Sequence, residues 1–210
     1  MGDNLRAIAI IKEEGVFPAF GFICFNPYST HESLLQNADF LYNSGLGHVF
    51  YLYQTRLAVL PQIAISCRMI RDGLLSPDMD YKIHFHDYDF FDPKIGMLYK
   101  IMKKIYPKTY YIDTSLEMDW IRSKKNLDKD EKENMDAVFS KVDRIRKQVN
   151  KLNFSVFSQC VEMSMSGKPI DKIEEYCNKY SIDRYHKEYI DLYEKITEAT
   201  AKYKSDRFQN

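Results

Sequence analysis

The residues best able to do chemistry lie in Tyr81-Lys82-Ile83-His84-Phe85-His86-Asp87-Tyr88-Asp89. On a strand, alternation puts His84 and His86 on one face, about 7 Å apart by strand rise. Two imidazoles so placed chelate zinc or iron if a carboxylate converges on them. Asp87 falls on the opposite face and Asp89 near the strand end, so a third ligand has to come from elsewhere. The alternative is an ordinary strand of mixed aromatic and polar residues. The cysteines, Cys24, Cys67, Cys160 and Cys177, are scattered, the closest two being 17 residues apart. That spacing suits neither a metal-binding cysteine cluster nor a disulfide framework, and it fits a reducing cytoplasm. Cys24 and Cys67 sit in apolar runs and read as buried small hydrophobes. No nucleophile elbow, phosphate-binding glycine loop, zincin motif or dinucleotide fingerprint occurs. The 16 tyrosines read as a ligand surface or as amphipathic packing at element edges.

The elements that must position these residues alternate. The pattern predicts helices over 4–14, 31–44, 61–72 and 93–105, and strands over 17–25, 48–53 and 81–90, as in parallel strands joined by crossover helices. Ser29-Thr30-His31-Glu32 has the spacing of a capping box at the start of the second helix. Gly15, Gly45 and Gly73 follow helical runs where left-handed caps belong, and Asp92-Pro93 reads as a cap followed by the first helical residue. Beyond about residue 107 the character changes. A short helix over 114–123, a long charged amphipathic helix over 128–153 and another over 183–204 are expected, with 124–132 as a polar linker. The chain therefore divides into a βα segment, 1–107, and a helical region, 108–210.

Composition bounds the function classes. The 30 basic and 30 acidic residues balance, so the basic footprint of a nucleic-acid binder is missing. No window approaches 18 uninterrupted apolar residues and no signal-peptide core is present, so neither membrane insertion nor secretion is expected, and a cytoplasmic location is. At 45% hydrophobic residues, the chain has enough apolar content to bury a core.

Gly21-Phe22-Ile23-Cys24-Phe25-Asn26-Pro27-Tyr28-Ser29-Thr30 joins a strand to a helix in a recognisable way. It resembles the fifth strand and following helix of the radical S-adenosylmethionine barrel, most of all in the cobalamin-binding branch. Asn4 to Gly15 resembles the helix before that strand, Val49 to Leu57 the strand after it, Arg71-Asp72-Gly73-Leu74-Leu75 the next helix end, and Tyr88 to Tyr106 the final strand and helix. The similarity spans residues 3 to 106. It implies an α/β fold: a partial (βα) barrel segment of about three parallel strands with crossover helices, followed by the helical C-terminal region. The first four strands and the Cys-x-x-x-Cys-x-x-Cys loop that holds the family's four-iron cluster are not in this sequence. Phe25 stands where many family members have glycine, Asn26 where the cobalamin branch has aspartate, and Gln54 where the family has glycine.

Carried over residue by residue, the resemblance implies that Gly21, Ile23, Phe25 and Asn26 form a wall for the adenine end of the cofactor. It places Thr55 and Arg56 at a barrel mouth, where the guanidinium grips a carboxylate or phosphate. Alternatively Ile23 and Phe25 are core, and Arg56 is a surface ion pair. About three strands leave open edges and an uncovered interior. A protein partner, a homo-oligomer or the C-terminal helices folding across must cover them. Three functional readings follow. The first is the C-terminal part of a radical S-adenosylmethionine protein, not catalytic alone, which takes that cofactor and an iron–sulfur cluster only when a partner supplies the missing half. The second is a non-catalytic interaction protein descended from the barrel. The third is a metal-dependent enzyme built on His84 and His86. Whether the chain is an enzyme is left open by the sequence.

Overall fold

The computed structural model describes residues 2–14, 21–78, 87–105 and 129–166, with a few isolated positions after 168. Among the described residues there are five α-helices: α1 (Gly2–Glu13), α2 (His31–Asn43), α3 (Ala64–Arg71), α4 (Pro93–Ile105) and α5 (Lys129–Met165). A 3-10 turn spans Phe50–Gln54. The helices expected over 4–14, 31–44, 61–72 and 93–105 thus form with small shifts of boundary. Those over 114–123 and 183–204 lie outside the described residues, apart from isolated positions in the second.

The expected partial barrel does not form. Among the described residues there is no strand and no sheet, only one parallel bridge between Phe25 and Arg56, so the α/β assignment and the partial TIM barrel give way to a helical fold. The physical reasons are local. At Asn26-Pro27 the extended stretch turns. Tyr28 N donates to Asn26 Oδ1 and Asn26 N to Ser29 Oγ, in the side-chain-to-backbone pattern that competes with a ladder. The predicted strand 48–53 coils instead. Phe50, Tyr53 and Gln54 are buried while Tyr51 is exposed, a three-residue period that an aromatic run accommodates as readily as alternation. Leu52 N donates to Val49 O, and the Thr55 hydroxyl to Leu52 O. Of the predicted strand 81–90, residues 87–90 are irregular and the remainder lies outside the described residues.

Capping explains where the helices stop. Both α2 and α3 end in Schellman motifs. Gly45 and Gly73 adopt φ of 66° and 73°, Gly45 N and Leu46 N donate to Tyr42 O and Leu41 O, and Gly73 N and Leu74 N donate to Ile70 O and Met69 O. The box at the start of α2 is shifted by one residue from the expected place. Thr30 and Ser33 cap each other's backbone N–H groups, while Ser29 is buried in the preceding turn. Asp92 accepts from Lys94 N at the start of α4, as expected. Gly15 lies outside the described residues.

The core forms where α5 packs on α2 and α4. α5 runs past the expected end at 153, because Val149, Asn153, Val156, Phe157, Cys160, Val161 and Ser164 continue one buried helical face. Phe157 reaches Phe25 and Tyr53, with ring centroids 6.1 and 4.9 Å apart. Asn150 holds the last turn of α2, donating to Tyr42 O, and Asn153 the loop after it, donating to Gly47 O and His48 O. α1 is tied to the same region by the Lys12 ammonium, 2.7 Å from Ser44 O, which satisfies a carbonyl at a helix end. No helix among the described residues is long and apolar enough to cross a membrane.

Candidate functional site

The bridge that replaces the sheet is the scaffold of the site. Thr55 O accepts from Cys24 N and Phe25 N, and Leu57 N donates to Phe25 O at 2.8 Å, which fixes the backbone on both sides of Arg56. Thr55 Oγ1 also accepts from Cys24 N at 3.1 Å, so its hydroxyl is engaged in holding the turn. The Arg56 guanidinium lies 4.8 Å from the Tyr88 ring centre and 5.5 Å from that of Tyr99, within the range of cation–π attraction. The Lys103 ammonium approaches the Tyr99 ring at 5.7 Å. Arg56 pairs with the Asp87 carboxylate. The side chains differ sharply in burial: Arg56 is 22% exposed and Asp87 fully so.

The electrostatics follow from that packing. Burial pushes the Tyr88 phenol up to about 12, opposed by the Arg56 charge. Burial also raises Tyr99, again against Arg56. Both phenols are therefore neutral at neutral pH. Chemically the cluster is a fixed, charged hydrogen-bond fork set in aromatic walls, suited to holding an oxyanion.

The other sequence candidates are dispersed. Gly21 is exposed, with nothing within 4 Å of where a Cβ would stand, and Ile23 is 48% exposed. Phe25 is fully buried, edge-on to Phe90, Tyr99 and Phe157. Asn26 is taken up by the turn at Pro27. Gly21 and Ile23 thus lie at the surface, Phe25 in the core and Asn26 in the turn. His84 and His86 lie outside the described residues, and among the described residues no group of three or more His, Cys, Asp or Glu is placed to hold a metal ion. Cys24 is buried, which pushes its thiol well up. Cys67 is exposed, against expectation, because α3 turns Ser66 and Met69 inward instead.

Two further constellations had no sequence signal. Tyr28 Oη donates to Asp72 Oδ2 at 2.8 Å, with the Arg68 guanidinium 3.9 Å from the Tyr28 ring centre. His31 Nε2 meets Ser164 Oγ at 2.9 Å, joining the start of α2 to the end of α5. Burial lowers the His31 pKa, with Asp92 opposing and Lys94 reinforcing.

No known protein family, curated protein or solved structure matches the chain. The comparisons thus give no support to the radical S-adenosylmethionine or cobalamin-binding resemblance.

Proposed function

We propose that the chain is a non-catalytic interaction protein, with Arg56 as its grip on a bound group. The observation that carries this reading is the position of Phe25. The side chain for which the resemblance implies a cofactor wall is fully buried and packed against Phe157 of α5. α5 therefore covers that face of the Phe25 segment, in the manner of C-terminal helices folding across an open face. Arg56, across the bridge, remains partly exposed with its charge oriented by tyrosines.

A second reading has one observation in its favour. Phe25 and Arg56 pair in parallel, and they belong to two segments that the resemblance assigns to consecutive parallel strands. On that reading the chain contributes specificity to a radical S-adenosylmethionine assembly whose cluster comes from a partner.

Anaerobic purification separates the two. Iron, cobalt and zinc are quantified per chain, mass is measured by light scattering, and S-adenosylmethionine is titrated calorimetrically. The interaction protein is expected to carry no iron or cobalt and to leave S-adenosylmethionine unbound. Iron and sulfide arriving with a stoichiometric partner, or S-adenosylmethionine binding, would overturn it in favour of the second reading.

A further inference from the structure

We propose that α1 is a self-association surface, and that its outer face pairs antiparallel with α1 of a second copy of the chain. This face is separate from Arg56 and adds a specific partner to the interaction reading.

Helical spacing decides which side of α1 is left over. Leu5, Ile8 and Lys12 share the side turned to the body: Ile8 is 7% exposed, Leu5 packs against the core and the Lys12 ammonium reaches Ser44 O. Ile10 lies two residues beyond Ile8, about 200° further round the helix, and is 50% exposed. Its neighbours one turn back and one turn on, Arg6, Ala7, Glu13 and Glu14, are exposed as well. Ile11 is 38% exposed. Single surface isoleucines are ordinary. Here Ala7, Ile10 and Ile11 are contiguous at helical spacing and rimmed by charge, in the manner of a contact surface with a polar edge.

The charges select the occupant. Arg6 precedes Ile10 by four residues and Glu14 follows it by four. A two-fold axis at Ile10 therefore sets Ile10 against its own counterpart and Arg6 of each copy against Glu14 of the other. The face is self-complementary, as an isologous pairing requires. A parallel arrangement in register would set Arg6 against Arg6 instead. Among the described residues, Arg6, Glu13 and Glu14 form no ion pair within the chain, so no existing pair has to be broken. Glu14 N donates to Ile10 O, which puts Glu13 and Glu14 at the C-terminal end of α1, where carboxylates meet the negative end of the helix dipole. An arginine from an antiparallel neighbour offsets that. α1 spans 12 residues, and one pair of such helices covers less than the about 1,200 Å² of a standard interface, so a weak, concentration-dependent dimer is expected.

The test is analytical ultracentrifugation of the full chain from micromolar to near-millimolar concentration. The parent is expected to shift reversibly from monomer towards dimer across that range. Ile10→Glu, at the axis, is expected to abolish the dimer. Arg6→Glu and Glu14→Arg each set like charges opposite one another and are expected to weaken dimerisation about three- to ten-fold. Arg6→Glu/Glu14→Arg exchanges the pair and is expected to restore it to within about two-fold of the parent. Far-UV circular dichroism shows whether the helices persist in each variant, all of the changed positions being exposed. A chain that stays monomeric throughout the range, or a dimer that survives Ile10→Glu, would overturn the proposal. So would losses in both single variants with no recovery in the double, which would rule out the antiparallel register. A monomeric parent would leave the Arg56 reading standing, because that reading uses no residue of α1, so the two failures are distinguishable.

Discussion

Gly47→Ala is the most demanding perturbation the core offers, because Gly47 is where a loop passes beneath two buried oxygens. A Cβ there would stand 2.4 Å from Asn150 Oδ1, 2.5 Å from Tyr53 Oη and 3.3 Å from the Leu41 carbonyl carbon. Neither side chain steps aside cheaply. Asn150 Nδ2 is bonded to Tyr42 O, and Tyr53 is fully buried against Phe157 and Phe50. Overpacking of this kind costs about 1–3 kcal/mol, and driving Asn150 off the Tyr42 carbonyl adds about 1–3 kcal/mol for the group left unmet. Reduced freedom of the unfolded chain returns about 0.4–1 kcal/mol, so a net loss of about 1–5 kcal/mol, centred near about 3, is expected. Urea denaturation followed by circular dichroism measures it, the midpoint falling at constant slope. The origin of the loss is tested in the Tyr53→Phe/Asn150→Ala background, which lacks both oxygens. There the same glycine replacement is expected to cost under about 1 kcal/mol, since contacting residues couple strongly. A loss below about 1 kcal/mol in the parent chain, or equal losses in the two backgrounds, would refute the steric account.

His31 gives a pH dependence of definite sign. Its folded pKa lies below the ordinary 6.5, so the unfolded chain binds the proton more readily. Stability is full above about pH 6.5 and is lost as pH falls through the folded value. His31→Gln should flatten that slope in urea midpoints measured between pH 7.5 and 5, and an unaltered slope would rule His31 out as its source. Alkylation with iodoacetamide under native conditions, mapped by peptide mass, is expected to label exposed Cys67 well before buried Cys24 and Cys160; equal labelling would show the core to be open.

Helix ends were readable because capping is local. Gly45, Gly73 and Asp92 each do what their neighbours in sequence imply, and only the box at Thr30 is displaced, since Ser29 is taken by the turn at Asn26. The strands were not readable because pairing depends on partners distant in sequence. Phe50 to Gln54 is apolar and aromatic enough for either a strand or a coiled turn, and burial of Tyr53 under Phe157 decides between them. Asn150 and Asn153 look like a solvated helix face in sequence. Their role depends on carbonyls at and beyond the end of α2, more than 100 residues away. Arg56 was named from a resemblance, but Asp87, Tyr88, Tyr99 and Lys103, which give it a site, come from later segments that nothing near Arg56 announces.

That division between local and distant information bears on function. Phe25 and Arg56 are joined by one bridge, yet they meet opposite environments: Phe25 is enclosed by rings from α4, α5 and the segment before α4, while Arg56 reaches a carboxylate in open solvent. A cofactor wall needs side chains such as Ile23 and Phe25 facing one cavity, and here one is at the surface and the other in the core. A grip on a bound group needs only one well-braced guanidinium. The same backbone pairing that is too short to make a sheet is long enough to brace that one side chain, so a guanidinium can be held in place here without a barrel around it.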